Sequence, residues 1–313
     1  MKILVTGGAG FIGSEFVRSL LQNKYSEFGL NPSEVIVIDA LTYAGNLENL
    51  APISEDPRYK FVHGNITNFD LMLEKSKGCN LVINFAAESH VDRSIDNPAL
   101  FIETNVLGTY TVLETARQNN VNRIIQISTD EVYGSIKSGS WNEDAPLQPN
   151  SPYSASKASA DLVARSYVKT FGLDVIITRS CNNYGPYQNP EKLIPLLLKK
   201  AFISENFPIY GDGKNVREWI HVIDHTRAIA FLAMRSESGE IYNIGSSTEL
   251  NNIEIANLIK EKIRNCTSKI EFVADRQGHD FRYSLNASKL LALGFIPQIN
   301  FRSGLEYLIE NYK

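Results

Sequence analysis

A short aliphatic run, Ile3-Leu4-Val5, empties directly into Gly7-Gly8-Ala9-Gly10-Phe11-Ile12-Gly13, and this junction restricts the fold more than any other stretch. Glycines at 7, 10 and 13 permit a tight turn, close backbone approach to a ligand, and close packing of a following helix. That helix is predicted over about residues 14–22, where Phe16, Val17, Leu20 and Leu21 recur at helical spacing. Its N-terminus would offer unpaired N–H groups and the positive end of the helix dipole to a pyrophosphate. A glycine pattern alone says little. Here it is answered by a second apolar strand, Val35-Ile36-Val37-Ile38, that ends in Asp39. An acid at that place accepts hydrogen bonds from an adenosine ribose and repels a 2′-phosphate, which favours NAD over NADP. The connection is slightly long, and Asn31-Pro32-Ser33 reads as an added turn within it.

Further strand-and-helix units follow. Strands are predicted at 59–63, 81–85, 124–128 and 175–178, with a helix over about 99–118 and another beginning after Pro152. Such alternation implies an α/β fold, a Rossmann-like doubly wound parallel sheet with right-handed crossovers. Beyond residue 178 the texture changes to loops, prolines and scattered aromatics, with amphipathic helices at about 192–204, 251–265 and 302–312. The expected division is a dinucleotide-binding domain over 1–178 and a smaller α/β substrate domain over 179–313, with crossings of the chain between them left open.

The strand around Ile124, Ile125 and Ile127 ends in Ser128-Thr129-Asp130-Glu131. In an open α/β sheet, ligands sit outside the carboxyl ends of the strands. Two adjacent carboxylates at such a mouth can divide acid and base work if their environments push their pKa values apart; alone, they would be a solvated loop. Tyr153 and Lys157 lie four apart on the next helix, about 5–6 Å from each other at Cβ. By itself that spacing is an ordinary surface pair, but Ser154, Ala155, Ser156, Ala158 and Ser159 leave room for something flat beside it.

Bulk properties narrow the partners. With 313 residues, 31 basic against 35 acidic side chains and no basic run, the chain is not built for nucleic acid or a membrane surface. No 18-residue apolar stretch is present, and the first residues run into glycine too early for a signal peptide. Cys79, Cys181 and Cys266 are widely spaced, which points to a reducing, cytoplasmic setting without disulfides. His221 and His225 lack the glutamate of a zinc-protease motif, so no metal is expected. Leu196-Leu197-Leu198, Trp141, Tyr167 and Tyr184 read as packing, and Lys199-Lys200 as a solvated helix face.

Together these residues resemble the extended short-chain dehydrogenase/reductase family, nearly end to end, and within it the dTDP-glucose 4,6-dehydratase group. The likeness is carried by Gly7 to Gly13, by Tyr153 with Lys157, and by the stretches 39–50, 86–94, 182–188 and 211–219. Most specific is Ser128-Thr129-Asp130-Glu131-Val132-Tyr133-Gly134, since the related epimerases and decarboxylases generally lack the Asp-Glu pair. Three departures stand out: Asn65 where the family has Asp, the inverted order Ser180-Cys181, and Gln277 in place of a proline.

The resemblance implies a redox-neutral reaction with NAD that turns dTDP-glucose into dTDP-4-dehydro-6-deoxy-glucose. Tyr153 would take the proton from the sugar 4-hydroxyl, which Thr129 positions, while C4 gives up hydride. Working at neutral pH needs a phenol depressed by about 3 units, about 4 kcal/mol, with Lys157 and the nicotinamide cation as sources. Glu131 would remove the C5 proton, and protonated Asp130 would deliver a proton to the departing 6-hydroxyl. Cofactor contacts implied are Gly7, Gly10, Phe11, Ile12, Gly13, Asp39, Thr42, Asn65, Ile66, Ala86, Ala87, Ser89, Thr104, Ser128, Tyr153, Lys157 and Asn183. Substrate contacts implied are Ser89, His90, Thr129, Asn182, Glu191, Lys192, Arg217, Asn252, Arg276, His279 and Tyr283, with Lys192, Arg217 and Arg276 meeting the diphosphate. A homodimer paired through the helices near 99–118 and 152–171 is also implied. Two other readings stay open: a nucleotide-sugar 4-epimerase, which needs no Asp130/Glu131 pair, and a silent dinucleotide-binding scaffold, which has no use for the Tyr-Lys and Asp-Glu sets.

Overall fold

The computed structural model describes residues 1–275 and 278–312. Six strands fill the first half of the chain: β1 (Lys2–Thr6), β2 (Glu34–Asp39), β3 (Tyr59–His63), β4 (Leu81–Asn84), β5 (Arg123–Thr129) and β6 (Val175–Ser180). The second half adds β7 (Asn182–Tyr184), β8 (Phe207–Tyr210), β9 (Val216–His221), β10 (Ile241–Ile244), β11 (Glu249–Asn251) and β12 (Ile270–Val273). Seven of them form one parallel sheet in the order β10-β6-β5-β4-β1-β2-β3. The order reverses between β1 and β4, which opens a crevice at their carboxyl ends.

The strands are continuous apolar runs because both faces are covered. Period-2 alternation sorts their side chains. Ile3, Val5, Val35, Val37, Ile83 and Ile125 pack to one side, with Phe16, Leu20, Ile229 and Leu232 from helices Phe11–Leu21 and Val222–Arg235. Leu4, Ile36, Ile38, Val82, Ile124 and Ile177 face the other way, onto Met72, Val112, Leu113, Ala116 and Ala164. Those residues belong to helices Phe69–Ser76, Gly108–Gln118 and Pro152–Phe171. The last of these starts on a capping box, Ser151 with Ser154, has Pro152 in its first turn, and stops at Gly172 with φ +66°.

Three departures from the sequence reading bear on the site. The first helix begins at Phe11 rather than near residue 14, because Gly10 already serves as its N-cap. The expected helix over 99–118 is interrupted by a π segment, Ile102–Leu107. That extra residue per turn carries Asn105 inward, where it is 1 % exposed and bonds in both directions to the Glu88 backbone (2.8 and 3.0 Å). Strand β6 runs on to Ser180, past the expected end at 178.

The remaining strands form a three-stranded sheet, β11-β9-β7, and a parallel pair, β12-β8. Their core gathers Leu197, Phe207, Ile209, Trp219, Ile255, Ile259, Phe301 and Leu305. Between β9 and β11 the chain returns to the large sheet, supplying helix Val222–Arg235 and edge strand β10. No helix among the described residues is long and apolar enough to cross a membrane.

Candidate active site

The crevice at the switch point holds two adjoining hollows, about 330 and 680 Å³, that share His90, Glu131, Asn182, Asn183, Gln188 and Lys192. One wall is the carboxyl edge of the large sheet. The other comes from the smaller part.

On the sheet wall the glycine turn is forced. Gly7 sits at φ +67°, and a side chain there would place Cβ 2.5 Å from the Ala86 nitrogen; one at Gly13 would collide with the Gly7 carbonyl. Both Gly10 and Gly13 line the first hollow with Phe11 and Ile12, and no acid stands in the first helical turn to compete with an anion. Asp39, at the end of β2, accepts the Ala9 N–H (2.9 Å) and the Leu41 N–H (2.8 Å), so its carboxylate is fixed at the rim. Asn65 commits its carbonyl to the Thr67 N–H and hydroxyl, which leaves its amide N–H₂ for the hollow it lines beside Ile66 and Thr42. Ala86, Ala87, Ser89 and Thr104 line the middle. Ser128, also on this lining, has a buried hydroxyl without a partner among the described residues. A glycine cradle that Cβ atoms would fill, a ribose-height carboxylate and an orphaned hydroxyl fit an extended dinucleotide.

At the mouth of β5 the chain turns through a short 3₁₀ stretch, Asp130–Tyr133, capped by Thr129. This turn buries Asp130 to 2 % exposure and leaves Glu131 facing both hollows. Burial drives the Asp130 carboxyl well above its usual range, and the neighbouring Glu131 and Glu218 charges push it the same way. Its Oδ1 accepts the Thr129 hydroxyl (3.1 Å), whereas Oδ2 has no partner among the described residues. Burial thus favours the protonated form of Asp130, whose Oδ2 is uncommitted, beside the Glu131 carboxyl group.

Tyr153 and Lys157 arrive from the helix packed under β5. The phenol is 9 % exposed, edge-on to Phe101 and within hydrogen-bonding reach of Thr129. Burial raises its pKa, Glu131 and Asp130 raise it further, and the Thr129 hydrogen bond opposes them. The polypeptide alone thus acts against the depression expected from Lys157. The Lys157 ammonium donates instead to the Ile127 carbonyl (2.6 Å) and is not among the residues that line the hollow. Burial lowers Lys157 itself to about 8, with Asp161 pulling it back up.

The second wall collects residues far apart in sequence. Asn182 and Asn183 stand on β7; Asn183 bonds the His225 ring (2.8 Å), which burial lowers to about 3. Lys192 reaches the Ser89 carbonyl (3.1 Å) beside His90. Glu191 pairs with Arg93 (2.9 Å) and lies 3.7 Å from His90 at the rim. Arg217 is 7 % exposed, donates to the Val216 and Asp280 carbonyls (2.8 and 2.9 Å) and lies 4.4 Å over the Tyr283 ring. Asn252, Tyr283 and His279 complete this hollow, His279 being held by Asp275 (2.6 Å). Arg276 lies outside the described residues.

Several participants escaped sequence reasoning. Tyr43, Glu88 and His225 line the first hollow, and Asn105 anchors Glu88 from behind while bonding Ser156 (2.8 Å). Glu218, 1 % exposed, accepts the N–H groups of Ser246, Ser247 and Leu285 (2.7, 2.7 and 2.9 Å) and supports the field on Asp130. The one available signal was a polar residue, Asn105, between Phe101 and Val112 along the predicted helix.

Known proteins share this arrangement. The family model described as GDP-mannose 4,6 dehydratase matches residues 4–308. A dTDP-glucose 4,6-dehydratase from Streptomyces niveus is 48% identical, covering 100% of this chain and 93% of its own. The low-salt glycan biosynthesis protein Agl12 of Haloferax volcanii is 49% identical, covering 100% and 98%. The crystal structure of a dTDP-glucose 4,6-dehydratase from Streptomyces venezuelae with NAD bound superposes at TM-score 0.96 and 53% identity, covering 99% of this chain and 96% of that one. A UDP-glucose 4-epimerase from Thermotoga maritima matches more distantly, at 30% identity with TM-score 0.90 and coverage of 100% and 98%. With a parallel seven-stranded sheet, the Asp130-Glu131 mouth and full-length likeness at about half identity, the chain belongs to the nucleotide-sugar 4,6-dehydratase family, among the dTDP-glucose 4,6-dehydratases.

Proposed function

We propose that this chain binds NAD and converts dTDP-glucose to dTDP-4-dehydro-6-deoxy-glucose. The observation that carries the reading is the neutral, buried Asp130 with its uncommitted Oδ2 beside Glu131. An epimerase needs no such acid. A binding scaffold has no use for it.

When bound, NAD supplies the hydride acceptor and donor of the cycle. Tyr153 takes the 4-hydroxyl proton, with Thr129 bonding the same oxygen. The resulting 4-ketone acidifies C5, whose proton passes to Glu131; Asp130 protonates the 6-hydroxyl, which leaves as water. The hydride taken from C4 would be returned to C6 by the reduced cofactor and a proton from Glu131 to C5, which completes the 6-deoxy product. Asp130 must be protonated for this step, so the raised pKa serves catalysis across the neutral range. Because the protein alone raises Tyr153, its depression needs the positive charge of the oxidised cofactor, to which the Lys157 ammonium one helical turn away adds.

Residues 182–221, 249–275, 278–284 and 296–312 are read as the substrate half, with Arg217 and Lys192 at the diphosphate, and the large sheet with β10 and the segment that carries Leu285, Leu290 and Phe295 as the cofactor half. Exposed Leu100, Ile102, Leu107 and Tyr110, with Leu162 and Phe171 on the neighbouring helix, support pairing of two copies through these helices. Three free thiols support a reducing, cytoplasmic setting.

The test is incubation with dTDP-glucose and NAD. The alkali-induced absorbance of a 4-keto sugar should appear, with product mass lower by one water. Formation of the 4-epimer without that absorbance would reject the reading.

A further inference from the structure

Behind the site, on the hidden face of helix Pro152–Phe171, three ionic groups meet: Lys157 is 5 % exposed, Asp161 0 % and Arg179 1 %. Lys157 and Asp161 are one helical turn apart on the same face, about 5–6 Å between Cβ atoms. Arg179, on β6, donates through Nε to Asp161 Oδ2 (2.9 Å). Its other hydrogen-bond partners are uncharged, the Tyr133 hydroxyl (2.8 Å) and the Glu143 backbone carbonyl (3.3 Å), and its guanidinium lies 4.8 Å over the Tyr133 ring. The second Asp161 oxygen, Oδ1, is buried without a hydrogen-bond partner among the described residues.

Two buried cations therefore face one buried carboxylate. Arg179 cannot give up its proton. Only Lys157 can relieve the excess charge.

We propose that Asp161 is shared between Lys157 and Arg179, and that this sharing sets the pH range over which Lys157 keeps its charge. Both are positioning residues that act through Lys157. The other titratable groups around the cluster do not supply the missing charge. Tyr153 is a phenol one turn earlier, and Tyr133 donates to Asn243 (2.8 Å). Burial favours the protonated form of Asp130, and Glu143, which accepts the Asn243 N–H (2.9 Å), acts on Tyr133, while Asp161 alone opposes the loss of charge at Lys157. Glu131 lies in the hollows on the far side of Tyr153. In agreement, burial lowers Lys157 to about 8 and Asp161 is the one charge opposing it. Removing Asp161 leaves Lys157 beside an unneutralised cation, whereas removing Arg179 gives Asp161 to Lys157 alone. The two changes must act in opposite directions.

The inference rests on the proposed function only in that a charged Lys157 supports the phenolate; its main readout needs no substrate. Melting temperature is measured against pH for the full chain and for Lys157→Met, and the difference is taken. The folded protein loses the Lys157 proton near pH 8, while the unfolded chain holds it to about pH 10.4. Between these values the unfolded state binds more protons, so the chain gains stability relative to Lys157→Met as pH rises. Repeated in each background, the onset of that gain should fall by about one pH unit in Asp161→Asn and rise by about one in Arg179→Gln. The alkaline limb of kcat/KM should move the same way. Unmoved onsets, or shifts in one common direction, would overturn the proposal. If Asp161→Asn does not fold, Arg179→Gln decides alone: an alkaline shift supports the sharing and none rejects it. A chain inactive on dTDP-glucose would sink the functional reading while leaving the thermal titration intact.

Discussion

The two walls of the crevice are made in different ways. The sheet wall is built from backbone and from missing side chains: the turn at Gly7–Gly13, the rim carboxylate of Asp39 and the mouth of β5 all sit on strands locked in register by their neighbours. The opposite wall is built from charged side chains holding one another or backbone carbonyls, as in Glu191 with Arg93, His279 with Asp275 and Arg217 with Asp280. A wall of the first kind cannot adjust, which suits a cofactor and reacting groups that must be held to a fraction of an ångström. The second kind can re-pair around a ligand. Damage should therefore separate cleanly, chemistry and cofactor lost on one side, substrate affinity on the other.

The largest effect belongs to Gly7→Val. A β-branched residue at φ +67°, with Cβ 2.5 Å from the Ala86 nitrogen, forces β1 and β4 apart at the crevice. Loss of about 3 kcal/mol or more is expected from strain and overpacking, read as a lower denaturant midpoint, together with loss of measurable NAD binding by calorimetry. Retention of both would show that the sheet wall yields after all.

Next comes Asp130→Asn, on the same wall but without a backbone cost. The amide keeps the size and the Thr129 contact but carries no proton to give. A fall in kcat of about 10²–10⁴ is expected, with KM and NAD affinity near those of the unmodified chain. The neutral form is the working one, so activity of the unmodified chain should fall as pH rises through the Asp130 titration, not as it drops. A loss confined to KM would remove Asp130 from the chemistry.

What was legible in the sequence follows the same division. Period-2 apolar runs and the glycine turn report local backbone requirements, so the parallel sheet could be read from the sequence, and with it the strand mouth where Thr129, Asp130, Glu131 and Tyr153 line one hollow. Pairings across long sequence distances leave no local trace. Nothing near Glu218 says that it will take three backbone N–H groups from residues 246, 247 and 285, or that its field reaches Asp130. The π segment was hidden for a related reason. Its residues, Ile-Glu-Thr-Asn-Val-Leu, carry no signal that separates a wide turn from an ordinary one, and the hydrogen bonds of Asn105 to the Glu88 backbone accompany the wider turn. The hydrogen bond from Lys157 to the Ile127 carbonyl was likewise decided by β5 and not by the spacing of four.

The smallest of the three effects, and the sharpest test of the contrast, is Arg217→Lys. Charge is conserved, so any loss measures shape. The guanidinium carbon lies 4.4 Å over the Tyr283 ring, the group donates to the Val216, Phe281 and Asp280 carbonyls, and it lines the second hollow. An ammonium cannot reproduce two parallel donors on a diphosphate or stack in the same way. KM for dTDP-glucose should rise about tenfold, about 1.4 kcal/mol, while kcat stays within a factor of about two, because the residue binds ground state and transition state alike. If kcat fell with it, the substrate wall would be shaping the reacting geometry, and the division of labour between the walls would be weaker than their construction implies.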